Sequence, residues 1–183
     1  MSGGTVTSVV IAGLGGQGIV TASDILAEAA FRAGHEVKKS EIHGMSQRGG
    51  SVSSDVRFGG RVHSPMVPLG AADYLIISES TQVAPNRHRL APDGRLITPA
   101  AVPQLFNEED PRRAAQAAKM VNVALLAVLS AHLELPEGCW LAAIRATLPE
   151  RLHAMNERVF RQARGLETIF ASLTGGGRGG RAQ

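Results

Sequence analysis

The chain has 183 residues, of which 44% are hydrophobic and only 4% aromatic, and its formal net charge is +3. That is enough for one domain with a sizeable core built from Ala, Val, Leu and Ile, and no apolar run reaches membrane-spanning length. The lone Cys139 excludes an internal disulfide and a cluster held by this chain's own cysteines, and no basic stripe interleaves with aromatics as nucleic-acid binding would require.

In chain order, Met1 to Gly4 is expected to be loose, with no charged region ahead of an apolar stretch, which points to the cytoplasm. Thr5 to Ala12 reads as a buried parallel strand, apolar on both faces near its end. Gln17 to Ala33 reads as a helix, because Ile19, Val20, Ser23, Leu26, Ala29 and Ala30 recur at helical spacing, and Gly34 suits the position just past its end. His35 to Ile42 is a second strand and Ser51 to Phe58 a third, with Arg61 to His63 as a short return strand after Gly59-Gly60. Asp73 to Ser78 reads as a central strand. Glu79 to Leu90 reads as a helix weakened by Pro85, and Arg95 to Thr98 as a strand after a Pro92-Asp93-Gly94 turn. Pro99 to Asn107 reads as a loop.

The second half is mostly helical. Asp110 caps and Pro111 opens a long alanine-rich helix running to about Leu133, with Val121, Leu125, Val128 and Leu129 as its apolar stripe. Trp140 to Thr147 and Glu150 to Leu173 follow as two more helices. Cys139, beside Trp140, reads as a buried structural thiol. Residues 174–183 are glycine–arginine low complexity, including Arg178 and Arg181, and are expected to be disordered. Alternation of strands and helices gives an α/β fold: a doubly wound, mostly parallel Rossmann-like sheet with additional C-terminal helices, residues 1–173 forming one domain.

Two stretches concentrate the chemistry. Gly13-Leu14-Gly15-Gly16-Gln17-Gly18 joins the first strand to the first helix with dinucleotide-type glycine spacing. Glycine there permits a sharp turn, close approach of backbone to a ligand, and tight helix–sheet packing, while the helix's first amides face an anion over the turn. The bland alternative is a packing turn that binds nothing. The second stretch, His43-Gly44-Met45-Ser46-Gln47-Arg48-Gly49-Gly50-Ser51, is a polar loop after the second strand. With strands one and two as neighbours in a parallel sheet, both loops open at one carboxyl edge.

Arg48 is the first candidate functional residue: its guanidinium can hold a carboxylate, a pyrophosphate or a partner's acidic side chain, or else be a solvated loop arginine. Met45, Ser46, Gln47, Gly49, Gly50 and Ser51 belong with that anion site. Glu41 stands where a dinucleotide fold holds ribose hydroxyls, or else pairs with Lys39 or Arg48. His43 is a candidate proton donor. Asn122 reads as a satisfied core amide within an apolar stripe. No set of residues reads as a metal site.

The glycine turn, paired with Glu41-Ile42-His43-Gly44-Met45-Ser46-Gln47-Arg48-Gly49-Gly50-Ser51-Val52 and followed by Val56-Arg57-Phe58-Gly59, Ser64-Pro65 and Gly70-Ala71-Ala72-Asp73, resembles the gamma-type domain of the 2-oxoacid:ferredoxin oxidoreductases. The similarity covers about Val6 to Phe170 and is strongest to the small subunit of the indolepyruvate enzymes. It implies a subunit of an enzyme that oxidatively decarboxylates a 2-oxoacid, from aryl pyruvates to pyruvate or ketoisovalerate, to an acyl-CoA. The electrons pass to ferredoxin. The resemblance also implies a large catalytic (alpha) subunit carrying thiamine diphosphate and [4Fe-4S] clusters. The family's thiamine motif is absent here, since Pro92-Asp93-Gly94 does not match it, and one cysteine holds no cluster. This chain is therefore expected to hold no cofactor alone, with CoA a candidate ligand at the glycine-rich edge. A stand-alone NAD- or flavin-binding oxidoreductase and a non-catalytic scaffold are the alternatives.

Overall fold

A computed structural model describes residues 5–44, 49–103 and 120–173. The leader Met1 to Gly4, the helix start at Asp110 and Pro111, and the tail 174–183 lie outside the described residues.

The elements are β1 (Thr7–Leu14), α1 (Ile19–Arg32), β2 (Glu36–His43), β3 (Ser51–Gly59), β4 (Ala72–Ile77), α2 (Val83–Asn86), β5 (Leu90–Ile97), α3 (Val121–Ser130), α4 (Glu137–Thr147) and α5 (His153–Leu173). The five strands form one sheet in the order β2-β3-β1-β4-β5. β1 pairs parallel with β4 and β4 with β5, whereas β3 runs antiparallel to both its neighbours, β1 and β2. Four strands therefore point one way and β3 the other.

This α/β sheet corrects one expectation. β1 and β2 are not neighbours; β3 lies between them. The cause is chain length. A parallel crossover needs about a dozen residues or more, and the loop between His43 and Ser51 is shorter, so β3 must return beside β2. Because β1 and β2 share a direction, their ends still open at one edge, where Leu14 pairs with Ser51 and His43 with Val52.

β1 is central and buried from Ser8 to Gly13, which is why its apolar run is continuous. Val9 and Ile11 join the larger core with α1, α3, α4 and α5, while Val10 and Ala12 join a smaller one with Val67, Leu75 and Ile77. The long helices thus gather on one face. Trp140 and Phe160 close that core with ring centroids 5.7 Å apart.

The other face carries the smaller core, with polar contacts among the described residues around it. Asp55, fully buried on β3, accepts hydrogen bonds from Arg89 Nη2 at 2.7 Å to both carboxylate oxygens and from the Val67 amide at 2.8 Å. At the opposite edge from the glycine turn, Arg95 and His132 both reach Glu167, at 3.1 and 2.8 Å, tying α5 to β5.

Several local expectations change. Residues 61–63 form no strand. The 79–90 segment breaks into a 3-10 turn, the four-residue α2 and a second 3-10 turn. Pro92-Asp93-Gly94 lies inside β5: the register steps from Ala72↔Leu90 to Tyr74↔Arg95, so the extra residues bulge from an edge strand, where a proline removes no ladder bond. Cys139 is half-exposed rather than buried, since α4 turns Trp140 to the core instead. Among the described residues no helix is long and apolar enough to cross a membrane.

Candidate functional site

β1 ends in a turn that the next helix cannot share with a larger residue. A Cβ on Gly13 would sit 2.4 Å from Ser78 Oγ and 2.7 Å from Ile19 Cδ1, so β4 and α1 pack against bare backbone. Gly18 is the residue before α1 and takes φ 78°, ψ 27°, a left-handed conformation that other L-residues adopt only with strain.

Gln17 is held three ways. Its Oε1 accepts from the Leu14 amide at 2.8 Å and from the Ser78 hydroxyl at 3.3 Å. Its backbone carbonyl accepts from Asn122 Nδ2 at 2.6 Å. The turn is thereby pinned to β4 and to α3, two elements distant in sequence. The reading of Asn122 as a satisfied core amide is half right: it is buried, but its Oδ1 has no hydrogen-bond partner among the described residues.

The helix that follows starts from Gly18, which has no side chain to cap it; among the described residues no side-chain cap bond to α1 is made, and no acidic residue lies in its first turn. The first amides of any helix lack intrahelical partners and carry a partial positive charge. They open into a cavity of about 380 Å³ lined by Leu14, Gly15, Gly16, Gly18, Ile19, Val20, His43 and Val52. Fourteen residues long, α1 is a substantial dipole aimed at that space.

The second loop closes against the first. The Gly15 amide donates to Gly50 O at 2.8 Å, and the Gly44 amide to Ser51 O at 2.7 Å. Gly15 therefore spends its donor on the loop and offers none to a ligand. Gly49 and Gly50 stand beside it, and Ser51 opens β3. Met45, Ser46, Gln47 and Arg48 lie outside the described residues.

Glu41 and His43 share the α1 side of β2. Glu41 Oε1 accepts from Lys39 Nζ at 2.7 Å, and Glu41 Oε2 lies 3.4 Å from His43 Nε2. The Lys39 hydrogen bond holds the Glu41 carboxyl below its usual value. On Lys39, burial pulls the ammonium down, but hydrogen bonds to Asp24 and Glu41 outweigh it and the net shift is upward. With β3 between β1 and β2 and its carboxylate so engaged, Glu41 stands a strand further from the turn than a ribose-binding acid would. His43 is exposed and lines the cavity.

Sequence reading passed over Ser78 altogether, and it did not connect Asn122 with the turn. A signal existed for Asn122, the one amide in the apolar run 121–129. None existed for Ser78, whose role follows only from strand order.

What can this arrangement hold? A diphosphate or carboxylate fits an uncapped helix start beside glycines. An iron–sulfur cluster does not fit: the chain has one cysteine, and no group of three metal-ligating side chains occurs among the described residues.

The fold and site define an α/β protein with a glycine-rich first turn and a cavity at the carboxyl edge of its sheet. The sequence matches the pyruvate ferredoxin/flavodoxin oxidoreductase family over residues 8–166, and the chain belongs to that family. It is 31% identical to the indolepyruvate oxidoreductase subunit IorB of Methanothermobacter thermautotrophicus, over 86% of this chain and 96% of that one. The IorB subunit of Thermococcus kodakarensis is 46% identical over 93 residues, a match spanning 51% of this chain and 46%, less than half, of the relative's length. Among solved structures, the keto/oxoacid ferredoxin oxidoreductase gamma subunit of Geobacter sulfurreducens superposes with TM-score 0.68 at 17% identity, covering 90% of this chain and 98% of that one. The 2-oxoglutarate:ferredoxin oxidoreductase of Magnetococcus marinus, with 2-oxoglutarate, coenzyme A and succinyl-CoA bound, gives 0.72 at 18% identity, over 90% of this chain and 31% of that one.

Proposed function

We propose that this chain is the small subunit of a 2-oxoacid:ferredoxin oxidoreductase acting on indolepyruvate or a related aryl pyruvate. It works with a larger alpha subunit that holds thiamine diphosphate and the iron–sulfur clusters, and ferredoxin takes the electrons through that complex. Residues 1–173 act as one domain, in the cytoplasm. The single observation that carries the reading is the uncapped start of α1, opening beside Gly15, Gly16, Gly18 and His43 in a chain whose own residues suit an anion and not a cluster.

The role of the chain is to receive an anion at that edge, and CoA is the candidate. Its diphosphate suits the α1 amides, and Arg48, with Met45, Ser46 and Gln47, is the candidate source of further charge and hydrogen bonds to it. CoA supplies the thiol that takes up the acyl group. His43, exposed at the rim, is placed to exchange a proton with a group in the cavity.

Co-purification tests the reading. Tagged chain recovered from its native cells should bring down a much larger thiamine- and iron–sulfur-containing chain. Recovery of a yellow or NAD-binding protein free of such a chain would favour the stand-alone oxidoreductase instead.

A further inference from the structure

We propose that Asn122 is a positioning residue: it aims the first amides of α1 at the anion. The inference rests on the anion reading given above.

Asn122 is the second residue of α3, a helix that is buried from Asn122 to Ser130 and otherwise apolar apart from Ser130. Its side chain reaches across 105 residues of sequence to donate to the Gln17 carbonyl at 2.6 Å. A trans peptide is planar, so a carbonyl and the following N–H point in opposite directions. Tethering the Gln17 oxygen to α3 therefore turns the Gly18 N–H away from α3. The Gln17 side chain is fixed independently, by Leu14 and Ser78, so the 17–18 peptide is gripped from both ends. The fit is close as well: a Cβ on Gly18 would lie 3.3 Å from Asn122 Nδ2.

Stability alone does not account for an amide here. Asn122 is only 8% exposed, and its Oδ1 is buried with no partner among the described residues. A half-satisfied buried amide destabilises a fold, whereas an apolar residue of the same shape would not. The benefit must lie in the one bond it makes, to the turn. Among the described residues α1 has no side-chain cap that would otherwise order its first amides.

The test compares the full-length wild-type chain with Asn122→Leu, which keeps the branching at Cγ and removes the donor. Each is 15N-labelled and titrated with inorganic pyrophosphate while the Gly18 amide signal is followed, and thermal melts are run in parallel. The expected result is a saturable Gly18 shift in the wild type, an affinity about five- to tenfold weaker in the variant, and a melting temperature equal or higher. Asn122→Ala gives the same readout if leucine is not accommodated. Equal affinities, or an affinity loss matched by a falling melting temperature in both variants, would overturn the role of Asn122. A wild-type Gly18 amide that ignores pyrophosphate would overturn the anion reading beneath it instead.

Discussion

In the function proposed above, Arg48 is the candidate to bring a full charge to the anion site. Backbone amides offer partial charges, and a guanidinium adds a full one in a planar fork. Removing such a charge-assisted contact costs about 1.5–3 kcal/mol of binding, and ~1.4 kcal/mol is a factor of ten. Arg48→Ala should therefore lower steady-state turnover of the reconstituted complex at least about tenfold while leaving the thermal melt of the small subunit unchanged. Arg48→Lys should recover only part of it; wild-type turnover in both would mark Arg48 as a solvated loop residue. Glu41 makes a different prediction. Its folded carboxyl titrates below the unfolded value, so its stabilising effect is present above the usual carboxylate range and is lost as pH falls through the folded value. Lys39 is raised, so its effect persists at neutral pH and is lost only in strong alkali. Melts of wild type and Glu41→Gln should converge as pH falls below about 4 and separate above it; curves parallel throughout would contradict the pairing.

Among elements, β3 shows best what the sequence concealed. Its alternation was readable, as were β1, α1, β2 and β4, because period and β-branching mark them locally. Its partner was not. Nothing in Ser51–Gly59 says that it inserts between β1 and β2; the short loop after His43 forbids a parallel crossover and so makes β3 an antiparallel partner of β2, without choosing the side. The glycine turn was legible from spacing, yet its clamps, Ser78 just past β4 and Asn122 on α3, were visible only once strand order was known. β3 also carries Asp55, whose carboxylate joins three segments on the face of the smaller core. Asp55→Ala leaves Arg89 buried and unpaired, which costs about 3–5 kcal/mol. The melting temperature should fall on the order of 10 °C. A change under about 2 °C would show that the Arg89 and Val67 segments are held by packing alone. On the helical face, Phe160→Ala should cost about 3–5 kcal/mol by urea titration, since it opens a cavity against Trp140. A loss below about 1 kcal/mol would mean that α5 closes the gap.

At the scale of the whole molecule, the two faces of the sheet are covered differently among the described residues. The long helices stack over one face, and the opposite face rests on short segments in which Met66 and Leu69 are exposed. The proposed role as one component of a larger enzyme is a claim about the whole assembly. The decisive measurement is dye reduction by purified components. The chain alone, the large subunit alone and the reconstituted pair are each given an aryl pyruvate, CoA and a viologen. Viologen should be reduced by the pair, in a manner dependent on both the 2-oxoacid and CoA, and not by this chain alone. Turnover by this chain without any added protein, or a large subunit fully active in its absence, would contradict the account.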